Sequence, residues 1–359
     1  MLRRILPDSV RVLTCAVVLL LPRAALAQVG TFPVTIEHAF GTTTIPEKPG
    51  RVATVAWANH EVPLALGIVP VGFAAATFGD DDGDGVLPWV AERLDELGAE
   101  TPPLFDEGDG IDFEAVAATR PDVILAAYSG LSQAEYDTLS LIAPVVAYPD
   151  APWSTDWRDM IRSNSAGLGL QAEGETLVAE IEAQIADSVA QYPEIAGKTA
   201  MFITHIDPTD LSTIRFYTAN DTRVQFFDDL GLRQPDSVVA STGEGQYAGE
   251  VSAEQIDLFD DVDIFVSYGG ELLLEPLKAV ETKRQHDRAL AIYRSSLTLL
   301  LEPLKQNPLA GRMRAVANGS VVMLGAGPVA TAANPTPLSI SWVLDDYLEM
   351  LAKAARKVE

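Results

Sequence analysis

Short apolar runs alternate along the chain with segments in which apolar residues recur every three or four positions. Residues 51–57 (RVATVAW), 69–74 (VPVGFA) and 122–128 (DVILAAY) have the length and composition of buried β-strands. A helical pattern over residues 112–120 (DFEAVAATR) lies between two of them and ends before Pro121. Strands that alternate with helices in this way predict an α/β fold whose sheets are mainly parallel.

The second half of the chain repeats this alternation after one long helical segment. Apolar residues recur with helical spacing over residues 173–191, which is long enough to run along a whole lobe. Further strands are predicted at 199–206, 262–268 and 319–325, and further helices at 223–232, 252–260 and 337–357. The pattern predicts an N-terminal lobe over residues 28–165, a linker helix within 166–193 and a C-terminal lobe over 194–359.

The composition is that of an acidic globular protein. Hydrophobic residues make up 48% of the 359 residues, which is too many for a disordered chain. The 51 acidic and 25 basic residues give a formal net charge of −26. Because such a surface repels nucleic acid and anionic lipid, we expect no nucleic-acid partner.

The first residues have the pattern of a secretory signal. Three arginines accompany an apolar run over residues 12–21, and the triplet ALA at 25–27 is a small-x-small cleavage site. We therefore expect residues 1–27 to be removed and the protein to be exported to the periplasm. Cys15, the single cysteine, lies inside the apolar run. Lipid anchoring at Cys15 is the less favoured alternative, because VLTC is a poor lipobox and too little apolar segment precedes it.

One arrangement occurs twice. Residues 112–128 (DFEAVAATRPDVILAAY) and 252–268 (SAEQIDLFDDVDIFVSY) each begin with a capping residue, followed two positions later by a glutamate. An apolar helix, an acidic link and a strand that ends in tyrosine then follow in both. The two lobes are thus predicted to contain the same substructure.

These segments resemble the periplasmic binding proteins of ABC importers for iron–siderophore complexes, a group that also includes cobalamin and haem binders. The resemblance covers nearly all of the chain after the signal. It is carried by four segments in the family order: 40–74 (FGTTTIPEKPGRVATVAW…LALGIVPVGFA), 111–126, 251–268 and 307–324 (NPLAGRMRAVANGSVVML). The stretch 271–305 is longer than the family norm and is predicted to be a helical insertion.

The resemblance implies a fold and a function. It implies two Rossmann-like α/β lobes joined by one long rigid helix, with the ligand in the cleft between them. It also implies a monomeric periplasmic receptor, not an enzyme, that captures a ferric siderophore and delivers it to an ABC permease. No cofactor is expected, because the ferric siderophore is the transported ligand.

Glu114 and Glu254 are the glutamates of the repeated arrangement. The resemblance implies that both contact arginines of the membrane permease. Two exposed carboxylates on opposite lobes can bind a basic surface and report the distance between the lobes. The alternative for either residue is an acid favoured at a helix start by the helix dipole.

Aromatic residues at strand ends are the first candidates for ligand contacts. Trp57, Tyr128 and Tyr268 each end a predicted strand, and ligands of α/β folds lie beyond the carboxyl ends of parallel strands. Trp153 follows the first lobe's last strand and can reach the cleft, whereas Trp157 has the spacing of a core residue. Ordinary packing of these rings in the core is the alternative.

Three further candidates lie in the C-terminal lobe. Arg223 stands in a segment similar to the one that supplies a pocket arginine in the family, and Arg215 and Tyr217 are close in sequence. A cationic pocket predicts an anionic siderophore, and a pocket poor in arginine favours a neutral or cationic hydroxamate complex. Surface ion pairs are the alternative role for both arginines.

The stretch FGDDDGDGVLPW, residues 78–89, is interpreted as a mobile lip of the cleft. Phe78 and Trp89 are expected to face the ligand, and the aspartates are expected to face water. Asp80, Asp82, Asp84 and Gly85 match the first half of a calcium loop, but Ala91 occupies the position of the required bidentate acid. A solvated acidic loop is therefore favoured over a calcium site.

Other functions require features that the sequence does not have. Nucleophile-elbow and P-loop motifs are absent, which argues against the corresponding enzymes. Binding of haem or cobalamin needs a histidine or tyrosine that faces the metal, and binding of Zn²⁺ or Mn²⁺ needs clustered histidines and carboxylates. His60 and His205 each follow a strand and stay open as metal ligands, although a lone buried histidine is the commoner case.

Overall fold

The computed structural model describes residues 31–80, 82–205, 212–269, 301–302, 304–308, 310–325 and 327–358. The predicted signal segment 1–27 and most of the predicted insertion 271–305 lie outside the described residues. Within the described ranges, no helix combines the length and the apolarity that are needed to cross a membrane.

Seven short strands and five helices form the first lobe, the described part of the chain before residue 170. The strands are β1 (Val34–His38), β2 (Gly41–Ile45), β3 (Val52–Thr54), β4 (Phe73–Ala74), β5 (Leu104–Phe105), β6 (Val123–Ala126) and β7 (Val145–Ala147). The helices are α1 (Glu61–Ala65), α2 (Pro88–Glu96), α3 (Phe113–Ala118), α4 (Gln133–Ser140) and α5 (Trp157–Gly167).

The central sheet of this lobe is parallel, with the order β3-β6-β7. Strands β4 and β5 form a second parallel pair, and β1 and β2 form an antiparallel hairpin. Every residue of β3, β6 and β7 is buried, as expected of parallel strands covered on both faces. The predicted strand over 51–57 ends early, at Thr54, because Ala56 and Ala58 both have positive φ.

A five-stranded sheet forms the second lobe, the described part of the chain after residue 190. Its strands are β8 (Ala200–His205), β9 (Thr213–Tyr217), β10 (Ala248–Ser252), β11 (Ile264–Gly269) and β12 (Val321–Met323), in the order β10-β9-β8-β11-β12. Its helices are α7 (Thr222–Asp229), α8 (Asp236–Ser241), α9 (Arg314–Asn318), α10 (Pro328–Ala332) and α11 (Ser339–Ala355), with 3-10 helices at Ala253–Phe259 and Ala310–Arg312.

Two features of this lobe differ from the sequence prediction. The segment 252–260 is a 3-10 helix with a non-helical kink at Gln255, where an α-helix was expected. Strands β9 and β10 were not predicted. They form the antiparallel edge of a sheet whose strands β8, β11 and β12 are parallel, and their exposed residues give no continuous apolar run.

Helix α6 (Gln171–Val189), 19 residues long, lies between the lobes in chain order. Its apolar face, with Val178, Ile181 and Ile185 buried, contributes to a core cluster that includes residues of both lobes. Helix α5 packs against the first part of α6, where Gly174 meets Ser165, and α11 packs against the later part, where Ser341 Oγ donates to Gln184 Oε1 at 2.7 Å. One face of the linker helix is therefore part of the core.

Candidate ligand-binding site

A cavity of about 300 Å³ lies between the lobes, at the carboxyl ends of the parallel strands. Seven of its lining residues were predicted from the sequence: Trp57, Phe78, Tyr128, Trp153, Tyr217, Arg223 and Tyr268. Four further lining residues were not predicted: Asp221, Tyr247, Thr331 and Asn334. Residues far apart in the chain thus form one aromatic surface.

Arg223 is held by three neighbours: Asp221, Tyr217 and Tyr268. Its Nη1 donates to Asp221 Oδ2 at 2.8 Å, and its Nε donates to the Tyr268 hydroxyl at 2.5 Å. The guanidinium also lies over the Tyr217 ring, 4.4 Å from the ring centroid. Asp221 caps α7 and accepts from the backbone N–H of Arg223, so the helix start itself sets the pair in place.

The charges at the bottom of the cavity are balanced. The Asp221 side chain is 1% exposed and that of Arg223 is 16% exposed. Burial raises the pKa of Asp221, and the adjacent guanidinium acts in the opposite direction. Among the described lining residues, these are the one aspartate and the one arginine, so the cavity is aromatic with no net charge from its acid and base.

Direct contacts cross the cleft. Asn334 Nδ2 of the second lobe donates to the Tyr128 hydroxyl of the first lobe at 3.2 Å. Within the second lobe, Thr222 Oγ1 orients Asn334 by donating to its Oδ1 at 2.5 Å. The rings of Phe78 and Tyr268 meet edge to face with centroids 5.7 Å apart. The two lobes are consequently in direct contact where Tyr128 meets Asn334 and where Phe78 meets Tyr268.

Strained backbone presents two tryptophans to the cavity. Ala56 and Ala58, on either side of Trp57, have φ of 58° and 60°, and Trp153 has φ of 58°. Non-glycine residues rarely adopt this conformation, and such strain concentrates at functional sites. Gly130 leaves room for the Trp153 ring, because a Cβ at that position would lie 2.2 Å from Trp153 Nε1.

The prediction that Trp89 faces the ligand is wrong. Trp89 is the second residue of α2, which Pro88 begins, and it is 4% exposed. Its indole N–H donates to Glu61 Oε1 at 2.7 Å, and its ring packs 5.3 Å from that of Trp342. The other Glu61 oxygen accepts from Leu338 N at 2.9 Å, so Trp89 belongs to a buried contact between the lobes.

Arg215 also lies outside the cavity. It stands on β9, where its side chain is 69% exposed and its Nε lies 3.4 Å from Glu250 Oε2 on the neighbouring strand β10. Along this strand Tyr217 reaches the cavity, but Arg215 faces solvent in an exposed cross-strand ion pair. The alternative of a surface ion pair is the correct one for this residue.

Asp80, Asp82 and Asp84, the described aspartates of the 78–89 stretch, accept hydrogen bonds from the backbone of their own loop. Asp80 Oδ1 accepts from Gly83 N at 2.8 Å, and Asp84 Oδ1 accepts from Val86 N at 2.8 Å. The carboxylates of Asp80, Asp82 and Asp84 lie within 4.8 Å of one another, with the last two exposed. These hydrogen bonds account for the acidic residues as loop-forming groups.

Glu114 and Glu254 occupy matching places in the two lobes. Glu114 is exposed in the first turn of α3, and Glu254 is exposed in the first turn of the 3-10 helix. In each case another residue caps the helix: Asp112 accepts from Ala115 N at 2.9 Å, and Ser252 accepts from Glu254 N at 3.3 Å. Neither Glu114 nor Glu254 is therefore the residue that caps its helix.

The two histidines kept open as metal ligands differ in position. His60 is 7% exposed and stacks on Phe73 with ring centroids 4.4 Å apart. Burial lowers the pKa of His60 to about 3, so its ring is neutral. His205 ends β8, and its side chain lies outside the described residues.

A two-lobed α/β architecture with an aromatic cavity between the lobes is the architecture of solute-binding receptors. The chain belongs to the periplasmic binding protein family, whose model matches residues 52–327. The family and its solved members described below are binding proteins.

Two solved structures and two curated proteins illustrate the similarity. PiaA of Streptococcus pneumoniae TIGR4, in complex with ferrichrome, is 40% identical with a TM-score of 0.80, over 91% of this chain and all of PiaA. SirA of Staphylococcus aureus, complexed with staphyloferrin B, is 20% identical with a TM-score of 0.62 over 88% of this chain and 98% of SirA, and shares the fold.

The ferric-anguibactin-binding protein FatB of Vibrio anguillarum is 25% identical over 88% of this chain and 87% of FatB. The probable siderophore-binding lipoprotein YfiY of Bacillus subtilis is 26% identical, and the match spans 57% of this chain and 58% of YfiY.

Proposed function

We propose that this protein captures a ferric siderophore outside the cytoplasmic membrane and delivers it to an ABC permease. The observation that carries the proposal is the aromatic cavity between the lobes, with the Arg223–Asp221 pair at its bottom. Flat or bulky metal chelates are held well by such ring faces. The similarity to PiaA, solved with ferrichrome, and to FatB, named for ferric anguibactin, supports this class of ligand.

The charge of the cavity favours a neutral complex. An arginine that faces the ligand without an acidic partner attracts an anionic chelate, but Arg223 already pairs with Asp221 at 2.8 Å. An anionic ligand then gains little charge attraction, and it has to compete with a buried carboxylate. Within this function, a ferric hydroxamate whose iron centre carries no net charge is the ligand type that fits the first cavity best.

Delivery is proposed to use Glu114 and Glu254 as the contacts with the permease. Their exposure, and their equivalent places on the two lobes, support this role. The protein is proposed to act as an exported monomer. YfiY is described as a lipoprotein, so an anchored form is the alternative to a freely diffusing one.

Quenching of tryptophan fluorescence tests the proposed function, because Trp57 and Trp153 line the cavity. The panel consists of ferrichrome as the neutral ferric hydroxamate, a ferric catecholate, ferric citrate, haem, cobalamin and free Zn²⁺. We expect saturable quenching by ferrichrome at sub-micromolar concentration and weaker binding of the anionic ferric complexes. A response to haem, cobalamin or Zn²⁺ alone would contradict the proposal and direct attention to His60.

The packing at Gly130 provides a test of the cavity wall. Gly130→Ala places a methyl group on the Trp153 ring, which must then move. We expect about a 2- to 10-fold loss of affinity for the bound ferric complex, the size of one lost aromatic contact. Gly50→Ala is the matched control, because its Cβ meets no atom closer than 3.6 Å. Equal affinities of the two variants would contradict the placement of Trp153 in the ligand wall.

A further inference from the structure

A second cavity, of about 270 Å³, lies next to the first within the first lobe. Trp57 and Trp153 line both cavities, so the two tryptophans form the boundary between them. Each volume alone is at or below the lower end of the range of about 300–1,000 Å³ that is typical of ligand pockets. The second cavity thus has the size of a side pocket for one arm of a ligand.

The polar side chains that line the second cavity are two glutamates, a histidine and Thr77. Glu107 and Glu135 line it, and so does His60. Among the ion pairs of the described residues, none includes Glu107 or Glu135, and the charged groups that act on Glu107 are the carboxylates Glu135 and Asp112. Burial, followed by the repulsion from these two carboxylates, raises the pKa of Glu107 to about 7.

His60 supplies an acceptor that is not used within the protein. The side chain is more than nine-tenths buried, and its Nδ1 has no hydrogen-bond partner. Because the ring is neutral, Nδ1 can accept a hydrogen bond when the proton is on Nε2. A buried acceptor without a partner is unfavourable, so a donor that reached Nδ1 would be bound favourably.

The remaining walls are narrow and apolar. Alanines 56, 58, 74, 75 and 76 line the cavity together with Leu87, Ile111 and Leu131. Such walls suit a chain of methylene groups, which gains from burial without needing polar partners. Glu107 is anchored at this site, since Ala56 N donates to its Oε2 at 2.9 Å. Its carboxylate is therefore oriented before any ligand binds.

We infer that the second cavity binds a protonated primary amine at the end of an aliphatic arm of the siderophore. An ammonium group carries three donors and a positive charge, and the cavity offers the carboxyl groups of Glu107 and Glu135. Glu135 Oε2 already accepts from Ser132 N at 2.8 Å in the cap of α4, so Glu107 is the main acceptor. The iron complex occupies the first cavity, and the arm passes the rings of Trp57 and Trp153. This inference rests on the proposed function and specifies which ferric hydroxamates the protein prefers.

The test compares two ligands that differ in one charge. The probes are the ferric complex of a linear trihydroxamate that ends in a primary amine and the same complex with the amine acetylated. Residues 28–359 of the chain are titrated with each ferric complex, and binding is followed by quenching of tryptophan fluorescence. We expect the amine form to bind about 10-fold more tightly or better, because acetylation removes one charge-assisted hydrogen-bond donor.

One variant tests whether Glu107 accepts the hydrogen bond from the ammonium group, and a second variant is its control. Glu107→Gln keeps the size of the side chain but removes its charge, and we expect it to bind the two forms within about 3-fold of each other. Glu100→Gln removes the same charge from an exposed position of the first lobe and is expected to keep the full preference. Circular dichroism and the thermal midpoint establish that Glu107→Gln is folded.

The outcomes separate this inference from the proposed function. Equal binding of the two forms by the unmodified protein, or a preference that survives in Glu107→Gln, overturns the amine pocket. Binding of ferrichrome without binding of either linear complex also overturns it and leaves the proposed function in place. If none of the ferric complexes binds, the proposed function itself is refuted.

Discussion

Replacing Arg223 with alanine is expected to lower the free energy of unfolding by about 3–5 kcal/mol. The substitution leaves the Asp221 carboxylate, 1% exposed, without its cation. It also removes the donor to the Tyr268 hydroxyl and the cation over the Tyr217 ring. Denaturant titration followed by circular dichroism measures the loss.

A second substitution separates the charge from the packing. In the double variant Asp221→Ala/Arg223→Ala no buried charge is left unpaired, and we expect a large part of the stability to return. Arg215→Ala is the matched control: its ion pair with Glu250 is about two-thirds exposed on both sides, and its loss is expected to change stability by less than about 1 kcal/mol. If Arg223→Ala is as mild as Arg215→Ala, the buried pair does not have the importance argued for it.

The double variant Asp221→Ala/Arg223→Ala also tests which charge the protein prefers in its ligand. Because Arg223 and Asp221 neutralise each other, the double variant keeps the balance of charge in the cavity. Its preference for neutral over anionic ferric complexes is therefore expected to persist, even if every affinity falls. In Arg223→Ala the unpaired Asp221 is expected to weaken binding of anionic complexes more than binding of neutral ones. The double variant is expected to show no such change in relative affinity.

The double variant Glu114→Ala/Glu254→Ala is expected to abolish uptake of the ferric complex while its affinity in solution stays unchanged. Both carboxylates are exposed, and the caps of their helices are formed by Asp112 and Ser252, so neither substitution disturbs a helix start. Losing one carboxylate on each lobe removes both anchor points for a basic permease surface. Uptake of radioactive iron by cells and quenching titrations measure the two quantities.

The control for this experiment removes the same charge elsewhere. Glu100 and Glu244 are exposed residues, one in each lobe, and Glu100→Ala/Glu244→Ala is expected to transport normally. Normal uptake by the Glu114/Glu254 variant would show that these residues are not the docking contacts. Loss of ligand binding in that variant would mean that they act on the cleft itself.

Several parts of this arrangement could be predicted from the sequence. The repeated segments at 112–128 and 252–268 placed Tyr128 and Tyr268 at the ends of parallel strands, and both line the cavity. This succeeded because buried parallel strands are continuous apolar runs, and because their carboxyl ends lie on one edge of a sheet. A local sequence pattern therefore predicted that Tyr128 and Tyr268, far apart in the chain, lie near each other in the fold.

Other parts depend on contacts that no local pattern contains. Asn334 reaches the cavity because the segment after α10 returns to the cleft, where Tyr128 and Thr222 bind its amide. Trp89 does not face the ligand because Pro88 begins a helix that buries the residue after it, and the acidic residues around this helix start give no sign of that burial. Arg215 faces solvent from β9, and the strand character of this segment comes from its pairing with β8 and β10 on either side.

The core cluster that contains α6 extends without a break from Trp89 and Ile161 in one lobe to Phe202 and Leu351 in the other. Glu61 adds a buried polar link between them, since it accepts from both Trp89 and Leu338. Neither lobe can expose its half of this interior without exposing the other half to water. We therefore expect the described parts of the two lobes to unfold together, in a single calorimetric transition.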